Sequence, residues 1–296
     1  MVKKYLSLVK FSHTIFALPF AFIGFFMGVF EVSTEKAIPM GEVILQKQML
    51  QLFLWVLVCM VTARSAAMAF NRYLDRHFDA KNPRTAIREI PSGVIAASSA
   101  LRFVILNAVI FITATYFINP ICFYLSPVAL FVILFYSYTK RFTALCHMVL
   151  GLGLSLAPIG AYLAVTGTFA ILPILFSCVV ICWVSGFDII YAMQDVDFDA
   201  SHNLHSIPTY LGKVNALKLS VLLHIIATVL VIVAGVLAGY GYFYWEGALV
   251  FIGMLYYQHS IVSPTNLTKV NIAFMTANGI ASVIFGVHVL VALFLQ

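Results

Sequence analysis

Asn71-Arg72-Tyr73-Leu74-Asp75-Arg76-His77-Phe78-Asp79-Ala80 follows one apolar run, and Asp195-Val196-Asp197-Phe198-Asp199-Ala200 follows another much further along the chain. Both contain Asp-x-x-Phe-Asp-Ala, and both soon reach Ile-Pro, at Ile90-Pro91 and Ile207-Pro208. Asp75 and Asp195 are 120 positions apart (195 minus 75), as are Asp79 and Asp199. A merely solvated loop has no reason to keep acidic positions in register over that distance. The chain therefore reads as an internal repeat of about four helices, each copy carrying its own acidic pair.

Of the 296 residues, 62% are hydrophobic and only 9% charged, which excludes an ordinary water-soluble globule. Apolar runs of about 20 residues recur from end to end, the length needed to cross roughly 30 Å of hydrocarbon. The formal net charge of +6 is then a loop-by-loop bias and not a nucleic-acid footprint. The five cysteines lie within or beside apolar stretches, without a CxxC pair or a nearby histidine cluster, and read as small core residues. The basic start, Met1 to Lys4, leads into an apolar run without a clear small-residue cleavage site, so a retained first span is expected.

Apolar runs and their breakers predict an all-α, polytopic membrane protein, a single domain over residues 1–296. Nine spans are expected near 12–30, 49–70, 99–118, 121–138, 144–165, 170–192, 217–239, 244–262 and 270–295. They form two related four-helix halves plus one helix, with Pro19, Pro127, Pro158 and Pro173 read as kinks. The long polar connections 71–98 and 194–216 fall on one side as cap loops. That side also carries Lys3, Lys4, Lys10, Lys140, Arg141, Lys213, Lys218 and Lys269, whereas the other has only Lys36 and Lys47 beside Glu31, Glu35, Glu42 and Glu246. The positive-inside rule places the N-terminus and both acidic loops in the cytoplasm, and the protein in the cytoplasmic (inner) membrane.

Asn71, Asp75 and Asp79, at i, i+4 and i+8, share one face of a helix continuing out of the second span, and Asp195 and Asp199 do the same off the sixth. Related halves turn these faces toward each other across a cavity. Four carboxylates at close quarters repel unless a cation sits among them. A hard divalent ion suits oxygen ligands, and Mg2+ commonly completes its octahedron with substrate phosphate, so a diphosphate is the expected ligand. Arg84, Arg88, Lys140 and Arg141 lie on the same side and can grip phosphate oxygens. His205 stands two residues before Ile207-Pro208 as Arg88 does before Ile90-Pro91, which favours a shared phosphate-facing role.

With these residues in place, the chain resembles the UbiA superfamily of intramembrane aromatic prenyltransferases, whose signature is N-D-x-x-D-x-x-x-D in the first loop and D-x-x-x-D in the second. Asn71, Asp75 and Asp79 match the first motif, and Asp195 and Asp199 the second. The stretches Asn82-Pro83-Arg84-Thr85, Arg88 to Gly93 and Tyr191 to Asp195 are similar to the 4-hydroxybenzoate polyprenyltransferase branch. One departure is Arg72, where the family usually has Asp; the i, i+4, i+8 face is unchanged by it. The resemblance implies a nine-helix bundle and Mg2+-dependent transfer of a polyprenyl group from polyprenyl diphosphate to an aromatic acid, 4-hydroxybenzoate first, in quinone biosynthesis. A dihydroxynaphthoate in menaquinone synthesis is the rival acceptor.

For that chemistry the metal set would be Asn71, Asp75, Asp79, Asp195 and Asp199. Phe70, Tyr73, Tyr136, Tyr138, Phe187 and Tyr191 lie near the same membrane surface, where π-faces can shelter an allylic cation. Asp188, one heptad before Asp195 in an apolar span, either positions the acceptor or its proton, or pairs with Arg64. Lys10, His13 and His205 are the local groups for the acceptor's carboxylate, with Tyr138 and Tyr191 as further acceptor contacts. The competing class is a transporter, which is also built from repeats. Transporters place charge near the bilayer midplane, whereas these acidic groups cluster at one surface.

Overall fold

The structure, a computed structural model, describes residues 2–9 and 16–296. Its helices in chain order are α1 (Val2–Leu8), α2 (Leu18–Lys36), α3 (Met40–Leu45), α4 (Lys47–Asp79), α5 (Ala97–Tyr116) and α6 (Pro120–Thr139). They are followed by α7 (Cys146–Thr166), α8 (Ile171–Ala192), α9 (Val196–Ser201), α10 (Ile207–Ala238), α11 (Tyr242–Ile261) and α12 (Asn278–Phe294). A 3-10 turn, Met193–Asp195, joins α8 to α9, and a π-helical turn, Ile272–Ala277, leads into α12.

Among the described residues, eight helices are long and apolar enough to cross a membrane. The expected count of nine is not reached by that measure. The eighth expected span, 244–262, corresponds to α11, which has the length at 20 residues but is diluted by Glu246, Gln258, His259 and four tyrosines. The first span is described from α2, with Pro19 in its opening turn; the expected start, 12–15, lies outside the described residues. Proline is accepted there, where its missing N–H costs no intrahelical bond. Pro173 likewise falls in the first turn of α8, so only Pro127 and Pro158 lie inside helices.

The outer faces confirm the solvent. Leu222, Ile225, Ile226, Val229, Ile232, Val233 and Val236 form an exposed stripe at helical spacing on α10, a surface that water would not tolerate and lipid does. The protein is an integral membrane protein. Inside, Phe20, Trp183, Phe251 and Phe285 close an aromatic core where α2, α8, α11 and α12 meet. Close approach of α2 and α7 depends on Gly24: a Cβ there would stand 1.9 Å from the Pro158 carbonyl oxygen.

Short connections are capped from within. Asn119 accepts from the Cys122 N–H at 2.9 Å, starting α6. Its Nδ2 donates to the carbonyls of Leu163 and Ala164, which end α7. At the other surface Ser206 caps α10 through the Thr209 N–H, and Gly212, with φ of 74°, kinks that helix after one turn. The stretch expected as a long loop over 194–216 is therefore largely helical, bent at Gly212.

Candidate active site

α4 runs unbroken past the apolar region, so Asn71, Asp75 and Asp79 occupy successive turns of one helix face. The second motif is not on one continuous helix as expected: the 3-10 turn at Met193–Asp195 tightens the backbone between α8 and α9. Its tighter winding rotates Asp195 relative to Asp199, yet both side chains still face the interior. All five residues line a single cavity of about 680 Å³ together with Arg84, Arg88, Lys140 and Asp188.

Each of the four motif carboxylates stands beside its own cation. Arg84 grips Asp195 with Nε at 3.1 Å and Nη2 at 2.5 Å, and Arg88 Nη1 is 2.7 Å from Asp79 Oδ1. Lys140 Nζ is 2.8 Å from Asp199, and Arg141 Nη2 is 3.1 Å from Asp75. Arg84 is aimed by its own turn, because Asn82 Oδ1 accepts the Arg84 N–H at 2.9 Å. Its Nη1 also donates to the Tyr191 hydroxyl at 2.9 Å. Burial alone would lower the pKa of Arg84, but the Asp195 carboxylate and the Tyr191 hydroxyl raise it overall. Lys140 behaves in the same way: burial works against its charge, and Asp199 outweighs burial, so its pKa is raised.

Two carboxylates are saturated and two are not. Both oxygens of Asp195 are held by Arg84, while Asp75 takes Arg141 on Oδ1 and the Asn71 amide on Oδ2 at 3.1 Å. Asp79 Oδ2 and Asp199 Oδ2, by contrast, are buried without a hydrogen-bond partner among the described residues. These two aspartates are equivalents in the repeat. Among the described residues no three His, Cys, Asp or Glu side chains already close on one point. The orphaned buried carboxylate oxygens and the all-oxygen donor set nonetheless fit a hard cation such as Mg2+.

Away from this ring the cavity turns apolar. It continues between helices past Ile133, Val132, Leu125 and Phe111 to Leu163 and Phe169 near the opposite ends of α5, α6 and α7. Tyr136, Phe187 and Tyr191 line it, as do Phe16, Phe78, Phe198 and Phe274; Phe70, Tyr73 and Tyr138 do not. Tyr138 is exposed and lies under the Arg141 guanidinium at 5.1 Å. His205 is also outside: its backbone N–H donates to the Lys140 carbonyl at 2.7 Å while its side chain faces solvent. It supports Lys140 through the main chain. Lys10 and His13 lie outside the described residues.

Asp188 has a partner the sequence did not offer. His147 Nδ1 is 2.7 Å from Asp188 Oδ2, and both side chains line the cavity with Arg64 and Arg72. His147 was missed because it is 41 positions from Asp188; the available signal was an ionisable residue just inside an apolar span.

Residues 37–280 match the profile of the UbiA prenyltransferase family. The 4-hydroxybenzoate octaprenyltransferase of Shewanella halifaxensis (strain HAW-EB4) is 29% identical over 236 residues, covering 80% of this chain and 82% of that one. In three dimensions the chain is similar to an apo UbiA homolog from Aeropyrum pernix K1, with a TM-score of 0.81 and 28% identity over 94% of this chain and 97% of that one. A UbiA homolog from Archaeoglobus fulgidus bound to DMAPP and Mg2+ shares the fold at a TM-score of 0.75, with 20% identity over 99% of this chain and 100% of that one. With the paired acidic motifs facing one cavity and the match spanning most of the chain, the protein belongs to the UbiA prenyltransferase family.

Proposed function

We propose that the protein transfers a polyprenyl chain from its diphosphate to the ring of an aromatic acid, 4-hydroxybenzoate, at the cytoplasmic face of the membrane. The observation that carries this reading is one cavity that starts at the four motif carboxylates with Arg84, Arg88 and Lys140 and continues as an apolar channel through the bundle. A polyprenyl diphosphate has that same division, a charged head and a hydrocarbon tail. The named function of the Shewanella relative supports the acceptor, and the excess of Lys and Arg on the motif side supports the orientation.

Asn71, Asp75, Asp79, Asp195 and Asp199 would hold Mg2+, beginning with the free buried oxygens of Asp79 and Asp199. Held there, Mg2+ would supply positive charge against the diphosphate leaving group. Arg84, Arg88, Lys140 and Arg141 already present charged donors at the ring and grip phosphate oxygens. Tyr136, Phe187 and Tyr191 line the region below, where π-electrons stabilise an allylic cation. Arg64 and Arg72 supply positive charge in the same cavity for the acceptor's carboxylate.

The test is a membrane assay with polyprenyl diphosphate, Mg2+ and either 4-hydroxybenzoate or a dihydroxynaphthoate. Prenylated 4-hydroxybenzoate that disappears in Asp75→Ala and Asp195→Ala supports the reading. Product formed equally well without either carboxylate overturns it, and product from the naphthoate alone changes the acceptor.

A further inference from the structure

One carboxylate of the cavity takes no part in the acidic ring. Asp188 stands seven residues before Asp195 on α8, about 10 Å deeper along the helix at 1.5 Å per residue, where it lines the cavity beside His147. It lies at the depth where a polyprenyl tail would begin.

The imidazole next to it is closed off. His147 is 3% exposed; its Nε2 accepts the Ile207 N–H at 3.4 Å, and its Nδ1 is 2.7 Å from Asp188 Oδ2. A backbone N–H can only donate, so the ring proton belongs on Nδ1 and is given to Asp188. The main chain is held as well, since Ser185 Oγ donates to the His147 carbonyl at 3.1 Å. Gly151 brings α7 against α8 here: a Cβ would meet Ser185 Oγ at 2.6 Å and the Ile181 carbonyl oxygen at 2.7 Å. His147 therefore has no N–H and no lone pair left for a ligand. Asp188 is the open group, with its side chain 22% exposed and Oδ1 without a partner among the described residues.

We infer that Asp188 is the catalytic base that removes the aromatic proton in the transfer proposed above, and that His147 is the positioning residue that aims it. The inference rests on that reading. The allylic carbon–oxygen bond breaks and its electron pair leaves on the diphosphate. A π-pair of the acceptor ring forms the new carbon–carbon bond. The electrons of the ring carbon–hydrogen bond then return to the ring as the proton passes to Asp188, which later gives it to water.

The experiment compares wild type with Asp188→Asn, His147→Gln and His147→Phe in membranes supplied with polyprenyl diphosphate, Mg2+ and 4-hydroxybenzoate, either protiated or deuterated beside the hydroxyl. Asp188→Asn lowers kcat about 10²- to 10⁴-fold at unchanged donor KM, and deuterium slows it more than it slows wild type. His147→Gln, able to donate to Asp188 and accept from Ile207 together, retains most of kcat, whereas His147→Phe loses it at unchanged donor KM. An Asp188→Asn protein within about threefold of wild type overturns the inference, as does one whose loss lies in donor KM or whose isotope effect equals that of wild type. A wild-type protein that prenylates no aromatic acid removes the underlying reading, and this one with it; the two failures are told apart by whether wild type makes product.

Discussion

Lys140 and Arg141 are neighbours in the chain yet serve opposite halves of the molecule: Lys140 Nζ lies 2.8 Å from Asp199, and Arg141 Nη2 lies 3.1 Å from Asp75. They sit on the turn between α6 and α7, where the first half hands over to the second. One dipeptide thereby ties together two acidic motifs 120 positions apart.

Removing one of these cations leaves its carboxylate stranded. Lys140→Met exposes nothing new but deprives the buried Asp199 of its ion-pair partner, an expected cost of about 1–3 kcal/mol. Thermal unfolding in detergent should fall accordingly, and Lys140→Arg should recover most of the loss.

The same pair fixes an alkaline limit. Lys140 has a pKa raised above its ordinary 10.5, because Asp199 outweighs the burial that opposes its charge. A raised folded-state pKa means its stabilisation is complete below the unfolded value and is lost as pH rises through the folded one. The difference in unfolding midpoint between wild type and Lys140→Met should thus stay constant up to about pH 10.5 and shrink only above it.

The free carboxylate oxygens lead to a prediction about metal. Asp79→Asn and Asp199→Asn each replace a buried, unpartnered oxygen by an amide nitrogen that cannot ligate. Prenyl transfer should drop by about 10²-fold or more in either variant. A chelator should abolish wild-type turnover and added Mg2+ restore it, read as product by mass spectrometry.

Helix contact without chemistry is tested at Gly24. Alanine there places a methyl 1.9 Å from the Pro158 carbonyl oxygen, backbone that cannot swing aside. Overpacking of this kind costs about 1–3 kcal/mol. The unfolding midpoint should fall, while activity per folded molecule changes little because Gly24 lies outside the cavity lining.

A buried polar hub gives a further case. Asn278 Oδ1 accepts from Trp183 Nε1 and Gln258 Nε2, both at 2.8 Å, and its Nδ2 donates to the Ala273 and Phe274 carbonyls of the π-helical turn. Asn278→Leu strands two donors in the bundle interior at about 1–3 kcal/mol each. Stability should fall, and Asn278→Asp, which keeps the acceptor but sets a carboxylate oxygen against the Ala273 and Phe274 carbonyls, should fall as well.

Much of the fold was legible because a bilayer demands length and apolarity, and both are countable in a sequence. Spans are less legible where composition blurs the signal, as along α11. The motif residues were legible through their repeat. His205 was not placed correctly by its position before Ile-Pro, since whether a residue offers its side chain or its main chain depends on how the turn lies against Lys140.

By itself the sequence determined that the chain spans membranes, that it carries two matched acidic motifs, and that those motifs suit a divalent cation and a diphosphate. These follow from composition and period, which act locally along the backbone. Only the tertiary structure decided which cation faces which carboxylate, which carboxylate oxygens have no partner among the described residues, and that His147 holds Asp188. Such pairings join residues on different helices, and they exist only once packing has brought those helices within hydrogen-bond reach.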